Sequence, residues 1–387
     1  WFMRRGVEKP QTPDPPPPPP SWPWGSPPPL GSLHGIGQAF NDAGNGQVAT
    51  QVYSSWLGRP ANIAGAWALM GQGYNDTWDH IAGGSGNDDT TFAGQLGGLS
   101  WSNIGRGLTP SYWPVTAPLV LMLSGVPVSH QNVKSGNSWT RPGIWQEVRQ
   151  GNFDIYYQRL FRRLAYRCGV SGRDPKTVVI RWCWEMSGTW YPHSVGPDKS
   201  GFIEAWKRTM GIMRASVSAV LGAGKSFMIE FSPDTALRFG SESGERLWNI
   251  YPGDDVVDIV ATGIHDRDVP AAQGGHPINV QADWDKLLRY PASAAGQTVE
   301  GLIDWFDFGV SRGKWVGTSE IESNYLSHDT YFHGPTNMQV MWTTGFEPLR
   351  QRYAGKFLYF IYLWNSYSRM NGDRANWSQP YKTLYGA

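Results

Sequence analysis

Two glutamates each follow an apolar run of strand length. Glu185 follows the run from Thr177 to Trp184, and Glu320 follows the run from Trp315 to Ser319. If both runs are parallel strands of one barrel, their carboxyl ends open at the same mouth, where the two side chains face each other. A retaining glycosidase needs such a pair, with carboxyls about 5–5.5 Å apart, one as acid/base and one as nucleophile. Glu322 is a rival nucleophile, because alternation along a strand places it on the same face as Glu320.

Aromatic residues surround the first of these glutamates. Trp184, Trp190 and Tyr191 flank Glu185, and Trp364 follows the last predicted strand. Aromatic rings offer apolar platforms for the C–H faces of sugars, and their polar atoms bind sugar hydroxyls. Apolar surroundings also favour the neutral form of a carboxyl, which a general acid requires. We therefore expect these rings to line a carbohydrate-binding cleft.

The chain from residue 33 onward alternates strand-like and helical patterns. Predicted strands are residues 33–40, 63–70, 118–123, 177–184, 226–231, 256–261, 315–319 and 357–363. Helical spacing of apolar residues marks 152–169, 201–221, 298–310 and most of 335–352, with Asn152 and Gly169 as the predicted caps of the first helix. Strands buried on both faces and separated by helices form a parallel sheet. The pattern predicts an α/β fold, a closed (β/α)8 TIM barrel, with an open doubly wound sheet as the alternative.

The first 32 residues differ in composition from the predicted barrel, residues 33–387. Prolines fill positions 15 to 20 without a break, and Trp22 and Trp24 follow them. Proline lacks a backbone donor and holds φ near −65°, so residues 1–32 are predicted to form an extended polyproline II arm. Two roles remain open for it, a stiff linker and an anchor that binds a protein partner through Trp22 and Trp24.

Composition excludes several classes of protein. The 387 residues contain 33 basic and 32 acidic side chains, so no basic excess favours nucleic acid. No apolar run reaches the roughly 18–20 residues that span a bilayer, and the first residues lack the apolar core of a signal peptide. Cys168 and Cys183 are too few for a disulfide framework and are predicted to be buried free thiols. No residues have metal-site spacing, and no cofactor is expected.

The segment from Arg181 to Tyr191 carries a specific pattern. In glycoside hydrolase family 26, which contains β-mannanases and related endo-β-glycanases of the TIM-barrel retaining clan, the acid/base segment typically reads Arg-x-x-His-Glu-x-Asn-Gly-x-Trp-Tyr-x-Trp. This chain resembles it, because Arg181, Glu185, Gly188, Trp190 and Tyr191 fall in register. Residues 257–266, 314–320 and 360–365 resemble the sixth, seventh and last strands of that family, so the similarity extends from about residue 33 to 370.

The resemblance implies roles for the two glutamates. Glu185 corresponds to the acid/base, and Glu320 to the nucleophile, because the family's nucleophile also follows a small residue, here Ser319. Arg181 is expected either to keep Glu320 ionised or to form a structural salt bridge. Glu322 is predicted to be a supporting residue of the same site.

The residues expected around the sugar depart from the family pattern. Trp184 stands where the family usually has histidine, Ser187 replaces the usual asparagine, and His193 falls where a tryptophan is common. His265 and Asp266 are the predicted hydroxyl contacts on the sixth strand. The resemblance therefore implies the chemistry and leaves the identity of the sugar open.

These features together predict a retaining endo-glycoside hydrolase acting on a β-mannan-like polysaccharide or a cell-surface glycan. The alternative is an inactive carbohydrate-binding barrel that serves as a structural or adhesion component of a larger assembly such as a phage tail. Either way, the expected partner is a polysaccharide, joined by a protein bound through residues 1–32 if the arm is an anchor. The expected location is extracellular or on a virion.

Overall fold

Eight parallel strands form a closed barrel in the computed structural model, which describes residues 22–28, 32–37, 39, 49–68, 104–125, 143–188, 191, 193–233, 247–265, 285, 288, 301–322, 343, 345–363 and 383–384. The strands are β1 (Leu33–Gly37), β2 (Ile63–Ala68), β3 (Leu119–Leu123), β4 (Val178–Trp182), β5 (Met228–Phe231), β6 (Ile259–His265), β7 (Trp315–Glu322) and β8 (Phe357–Leu363). Each strand pairs with the next, and β8 pairs with β1. The fold is therefore the predicted (β/α)8 TIM barrel and not an open sheet.

Helices lie between the strands, as the sequence pattern predicts. Those described are α1 (Ala49–Leu57), α2 (Ile144–Arg149), α3 (Asp154–Ser171), α4 (Lys199–Leu221), α5 (Leu302–Ser311) and α6 (Glu347–Arg352). Helices α3 and α4 pack against each other. Within the described parts of the chain, no helix has both the length and the apolar character that crossing a membrane requires.

Strand side chains alternate between the barrel interior and the layer beneath the helices. On β3, Val120 and Met122 belong to the interior cluster, whereas Leu119, Leu121 and Leu123 belong to the outer one. Neighbouring side chains of a strand point to opposite faces, and both faces of β3 are covered, so every residue of β3 is buried. This double burial explains why the strands appear in the sequence as continuous apolar runs.

The ends of α3 differ from the predicted ones. The helix begins at Asp154, after Phe153, rather than at an Asn152 cap, and it continues past Gly169 to Gly172, which adopts the left-handed conformation with φ 70°. Gly169 lies inside the helix, where an added Cβ would come within 3.0 Å of a methyl carbon of Leu221 on α4. Glycine at 169 thus permits the close approach of two helices, and Gly172 ends α3.

Trp22 and Trp24 lie against the N-terminal end of the barrel. The Trp22 ring meets that of Trp315, the first residue of β7, at a centroid distance of 5.5 Å, and the Trp24 ring stacks on Tyr359 at 6.4 Å. The Trp24 indole N–H donates to the backbone oxygen of Lys176, just before β4, at 2.7 Å. The two indoles predicted to bind a partner therefore contact the barrel of their own chain. Residues 1–21 and 29–31 of the predicted arm lie outside the described residues.

Candidate active site

Glu185 and Glu320 lie at the carboxyl ends of β4 and β7. Glu185 follows β4 by three residues, and Glu320 lies near the end of β7. Their exposed fractions are 6% and 4%, so both carboxyls are almost removed from solvent. Both exert electrostatic effects on the same two groups, the Arg181 guanidinium and the Tyr191 phenol. The closed barrel thus brings together the two glutamates that sequence analysis selected.

The backbone turn after β4 directs Glu185 into the mouth of the barrel. Cys183 and Glu185 both have φ 52°, in the left-handed region that residues other than glycine rarely adopt. Such a conformation costs roughly 1–2 kcal/mol per residue, so the surrounding structure must hold it. The Cys183 N–H donates to the Leu123 carbonyl, and the Glu185 N–H to that of Ser232, both at 3.0 Å. Main-chain bonds to β3 and to the residue after β5 therefore hold the turn.

A bulge in β7 changes which side chains face inward. Thr318 pairs with Thr262 and Glu320 pairs with Gly263, so Ser319 is an extra residue between them. The Ser319 hydroxyl lies 3.1 Å from that of Ser232, and Glu320 also reaches the interior. The bulge precedes Glu320, and Glu320 to Glu322 pair in regular register with residues 263–265 of β6, so alternation still does not distinguish Glu320 from Glu322. The side chain of Glu322 lies outside the described residues.

Arg181 on β4 connects the site to the barrel interior. Its side chain is fully buried, and its Nη1 donates to Oε2 of Glu320 at 2.8 Å. Its Nε lies 3.3 Å from Oε1 of a second carboxylate, Glu230. Burial lowers the pKa of Arg181, but Glu320 and Glu230 more than offset that effect and raise it above its ordinary value. Arg181 therefore stays a cation between two carboxyl groups.

Glu230 is the residue that sequence analysis missed. It lies on β5 in register with Arg181, has no exposed surface and accepts a hydrogen bond from the Tyr359 hydroxyl. Burial raises the pKa of Glu230. The Arg181 cation and the hydroxyls of Tyr359, Ser319 and Ser232 oppose this rise without cancelling it. The available signal was the charge itself, because a single glutamate inside the apolar run from Phe227 to Phe231 must find buried partners.

Trp184, Tyr191 and His193 form an aromatic cluster beside the glutamates. Trp184 meets the Tyr191 ring edge-on at 5.3 Å, and His193 stacks on Tyr191 at 4.9 Å. Burial, then Glu185 and Glu320, raise the pKa of the Tyr191 phenol well above its ordinary value. Tyr191 therefore stays neutral and able to donate a hydrogen bond. Trp184 is only 1% exposed and packs with the barrel interior, so it forms part of the apolar lining of the site.

His193, predicted to contact sugar, has no exposed surface. Its Nε2 lies 2.8 Å from the Trp184 carbonyl oxygen and its Nδ1 lies 3.4 Å from the Ser124 hydroxyl. These partners fit a neutral ring that donates from Nε2 and accepts at Nδ1. Burial lowers the pKa of His193 to about 4, so the ring is neutral near pH 7. In this structure it supports the backbone just before Glu185.

Several predicted contacts fall beyond the described residues. Trp190, Asp266 and Trp364 lie outside them, as does the side chain of His265, whose backbone closes β6. Their contacts with a sugar stay predictions. Cys168 and Cys183 are described, and both are buried free thiols, as predicted.

The carboxyl groups of the described site are suited to act as an acid/base and as a nucleophile. It combines two nearly buried glutamates, a buried guanidinium and a neutral phenol. Such a site is preorganised, because Arg181 and Glu320 lie on strands and main-chain hydrogen bonds hold the turn that carries Glu185. Among the described residues, no three histidine, cysteine or acidic side chains are grouped so as to hold a metal ion.

Comparison with known proteins yields structural likeness and no sequence match. No protein-family profile and no curated protein matches the chain. A family 26 β-mannanase from Bacteroides ovatus superposes with a TM-score of 0.57 at 15% identity, over 92% of this chain and 88% of that one. A double mutant of an endo-β-1,4-mannanase from Cellulomonas fimi gives 0.58 at 13% identity, over 92% and 70%.

The catalytic domain of a family 26 endo-β-1,4-mannanase from Bacillus sp. JAMB-750 gives a TM-score of 0.55 at 14% identity, over 92% of this chain and 87% of that one. Identities this low establish similarity of fold alone. Over about nine-tenths of its length, the chain has the barrel fold of the family 26 β-mannanases.

Proposed function

We propose that the protein is a retaining endo-glycoside hydrolase, a divergent member of glycoside hydrolase family 26. The observation that carries the proposal is the convergence of Glu185 and Glu320, nearly buried at one mouth of the barrel, with Arg181 bonded to Glu320. The fold supports it, because the similar solved structures are β-mannanases. The motif around Glu185 supports it independently of the fold.

The first step of the proposed reaction forms a covalent intermediate. The carboxyl of Glu185 gives its proton to the glycosidic oxygen while the carboxylate of Glu320 attacks the anomeric carbon. The bond from that carbon to the leaving sugar breaks, and a glycosyl ester of Glu320 forms. Before the attack, the Arg181 guanidinium, 2.8 Å from Oε2 of Glu320, favours the carboxylate form that the nucleophile needs.

The second step releases the sugar with its original configuration. The Glu185 carboxylate takes a proton from a water molecule, whose oxygen attacks the anomeric carbon from the face that the leaving group vacated. The ester bond breaks, Glu320 becomes a carboxylate again and Glu185 is again protonated. Two inversions at the same carbon give net retention.

The substrate is proposed to be a polysaccharide, either β-mannan-like or a cell-surface glycan. The Tyr191 phenol, which both glutamates influence, is a donor for a sugar hydroxyl close to the reacting carbon. We assign further contacts to Trp190, His265, Asp266 and Trp364, as the sequence predicts. An extracellular or virion-associated location is consistent with a polysaccharide substrate.

The test replaces each carboxyl by the amide of the same shape. Purified protein is incubated with a panel of soluble polysaccharides that includes β-mannan, and new reducing ends are counted. We expect Glu185→Gln and Glu320→Gln to fold normally and to lose about 10²–10⁴-fold or more in rate. Glu204→Gln is the matched control, because the Glu204 side chain is 60% exposed on α4, and it should keep full activity.

Two outcomes would contradict parts of this proposal. Loss of activity in Glu322→Gln together with survival in Glu320→Gln would move the nucleophile by two residues. Oligosaccharide binding by the wild-type protein without release of reducing ends from any substrate in the panel would favour the inactive binding barrel. A proton NMR spectrum of the first product distinguishes retention from inversion, since the newly formed anomer keeps the substrate's configuration only in a double displacement.

A further inference from the structure

Arg181 lies between two carboxyl groups that have different fates in the proposed reaction. Nη1 of Arg181 is 2.8 Å from Oε2 of Glu320, and Nε of Arg181 is 3.3 Å from Oε1 of Glu230. Arg181 and Glu230 have no exposed surface, and Glu320 is 4% exposed. Water therefore does little to stabilise the guanidinium, whose charge depends on these two neighbours.

The proposed function, on which this inference rests, removes one of those neighbours. When Glu320 forms a glycosyl ester, its negative charge disappears for the lifetime of the intermediate. A buried cation that loses its only counter-ion is strongly destabilised, by several kcal/mol in proteins generally. Glu230 lies below the reacting groups, within β5, and takes no part in either step. Its charge is available in every state of the cycle.

We propose that Glu230 is a positioning residue, the permanent counter-ion of Arg181, which keeps the buried guanidinium neutralised and in place while Glu320 is consumed as the nucleophile.

The surroundings of Glu230 fit the anionic form. Oε1 lies 3.3 Å from Nε of Arg181 in an ion pair, and Oε2 accepts the hydroxyl hydrogen of Tyr359 on β8. The hydroxyls of Ser319 on β7 and Ser232 after β5, which lie 3.1 Å apart, also favour the charged form of Glu230. A proton on Oε2 would compete with the hydroxyl hydrogen of Tyr359. Burial opposes the charge, but the Arg181 cation, the Tyr359 hydroxyl and the nearby serine hydroxyls offset part of the lost hydration.

The first test does not depend on activity. Glu320→Gln imitates the loss of charge at the nucleophile, and it leaves Arg181 paired with Glu230. Glu230→Gln leaves Arg181 paired with Glu320, whereas the double variant leaves it with neither. We expect the two substitutions to be non-additive in urea unfolding, with the double variant losing at least tenfold more in its folding equilibrium constant than the two single losses together, about 1.4 kcal/mol.

A third substitution keeps this test decisive when the double variant does not fold. Arg181→Met removes the cation, so it should restore much of the stability that the double variant lost. Additive losses, or a double variant that Arg181→Met does not rescue, would overturn the counter-ion role. Glu204→Gln combined with Glu320→Gln is the control. The Glu204 side chain is 60% exposed, so its effect on stability should simply add to that of Glu320→Gln.

The second test measures the two chemical steps separately with an aryl glycoside of the sugar that the panel identifies. Without Glu230, forming the ester costs more, so Glu230→Gln should slow the burst of aryl alcohol about tenfold or more and leave the later hydrolysis unslowed. The acid limb of kcat/KM should also move to lower pH, since one negative charge near Glu320 is gone. The charged groups that act on this region are Arg181, Glu320 and Glu185.

The outcomes separate this inference from the proposed function. An active wild-type enzyme whose Glu230→Gln variant matches it in burst rate and pH profile would refute the counter-ion role and leave the hydrolase intact. A wild-type protein that cleaves no glycan would refute the hydrolase, and the unfolding measurements would still decide whether Glu230 neutralises Arg181.

Discussion

Acidification should destabilise the fold through His193. The ring is fully buried and neutral, with Nε2 2.8 Å from the Trp184 carbonyl oxygen. Burial lowers the pKa of His193 from 6.5 to about 4 in the folded protein. In the unfolded chain the same ring takes up its proton near its ordinary pKa. The unfolded state therefore binds more protons between these two values, and stability is lost as the pH falls through that interval.

The size of the effect follows from the two pKa values. A change from 6.5 to about 4 corresponds to about 3 kcal/mol once the pH is below both, since one pKa unit is worth 1.36 kcal/mol. Near pH 5, where the unfolded ring is mostly charged and the folded ring is mostly neutral, about 2 kcal/mol of that is already lost. This is a large fraction of the net stability of an ordinary domain, which is about 5–15 kcal/mol.

The assay compares urea unfolding of the wild type and of His193→Gln from pH 8 to pH 4.5. Glutamine does not titrate, and its amide keeps a donor for the Trp184 carbonyl. Other groups contribute equally to both proteins, among them His34, whose pKa is also lowered by burial. The wild type should lose about 2 kcal/mol more than the variant between pH 8 and pH 5. A difference that stays constant across this range would refute a neutral, buried His193.

Two further predictions concern packing around Tyr359. Trp24→Ala removes the stack on Tyr359 at 6.4 Å and the indole hydrogen bond. Urea unfolding should show a loss of about 2 kcal/mol in the free energy of unfolding. An unchanged midpoint would show that the segment around Trp24 adds no stability. Gly317→Ala should cost about 1–3 kcal/mol, because its Cβ would lie 3.2 Å from two ring carbons and the carbonyl oxygen of Tyr359. The control is Gly211→Ala on α4, where no atom lies within 4 Å of the new Cβ. This variant should gain about 0.5–1 kcal/mol in the free energy of unfolding. Equal losses of stability in the two variants would contradict the close contact at Gly317.

The secondary structure is largely predictable because local rules operate on long segments. Strand β8 occupies the predicted residues 357–363, and α4 differs from its prediction by two residues at its start. Ends are less predictable when packing competes with capping. Glycine suits both a helix end and a close helix contact, so the sequence does not distinguish Gly169 from Gly172 as the end of α3.

The environment of the two glutamates follows from contacts that local patterns do not contain. Glu185 and Glu320 are predictable, because a polar residue at the end of a buried strand stands out from its neighbours. Glu230 is not, because its partners Arg181 and Tyr359 lie on other strands, and Tyr359 is 129 residues away. His193 and Trp24 carry no local mark of whether they will face a ligand, a partner or their own core.

The sequence by itself determines the alternation of strands and helices, the parallel pairing of the strands and the polar side chains at the strand ends. Each of these is encoded by residue spacing within a segment. Only the closed barrel decides that Arg181 reaches Glu320, 139 residues away, and that a bulge at Ser319 turns two successive side chains inward. The physical reason is that burial leaves these charges no water, so their stability depends on groups that distant strands bring within hydrogen-bond distance.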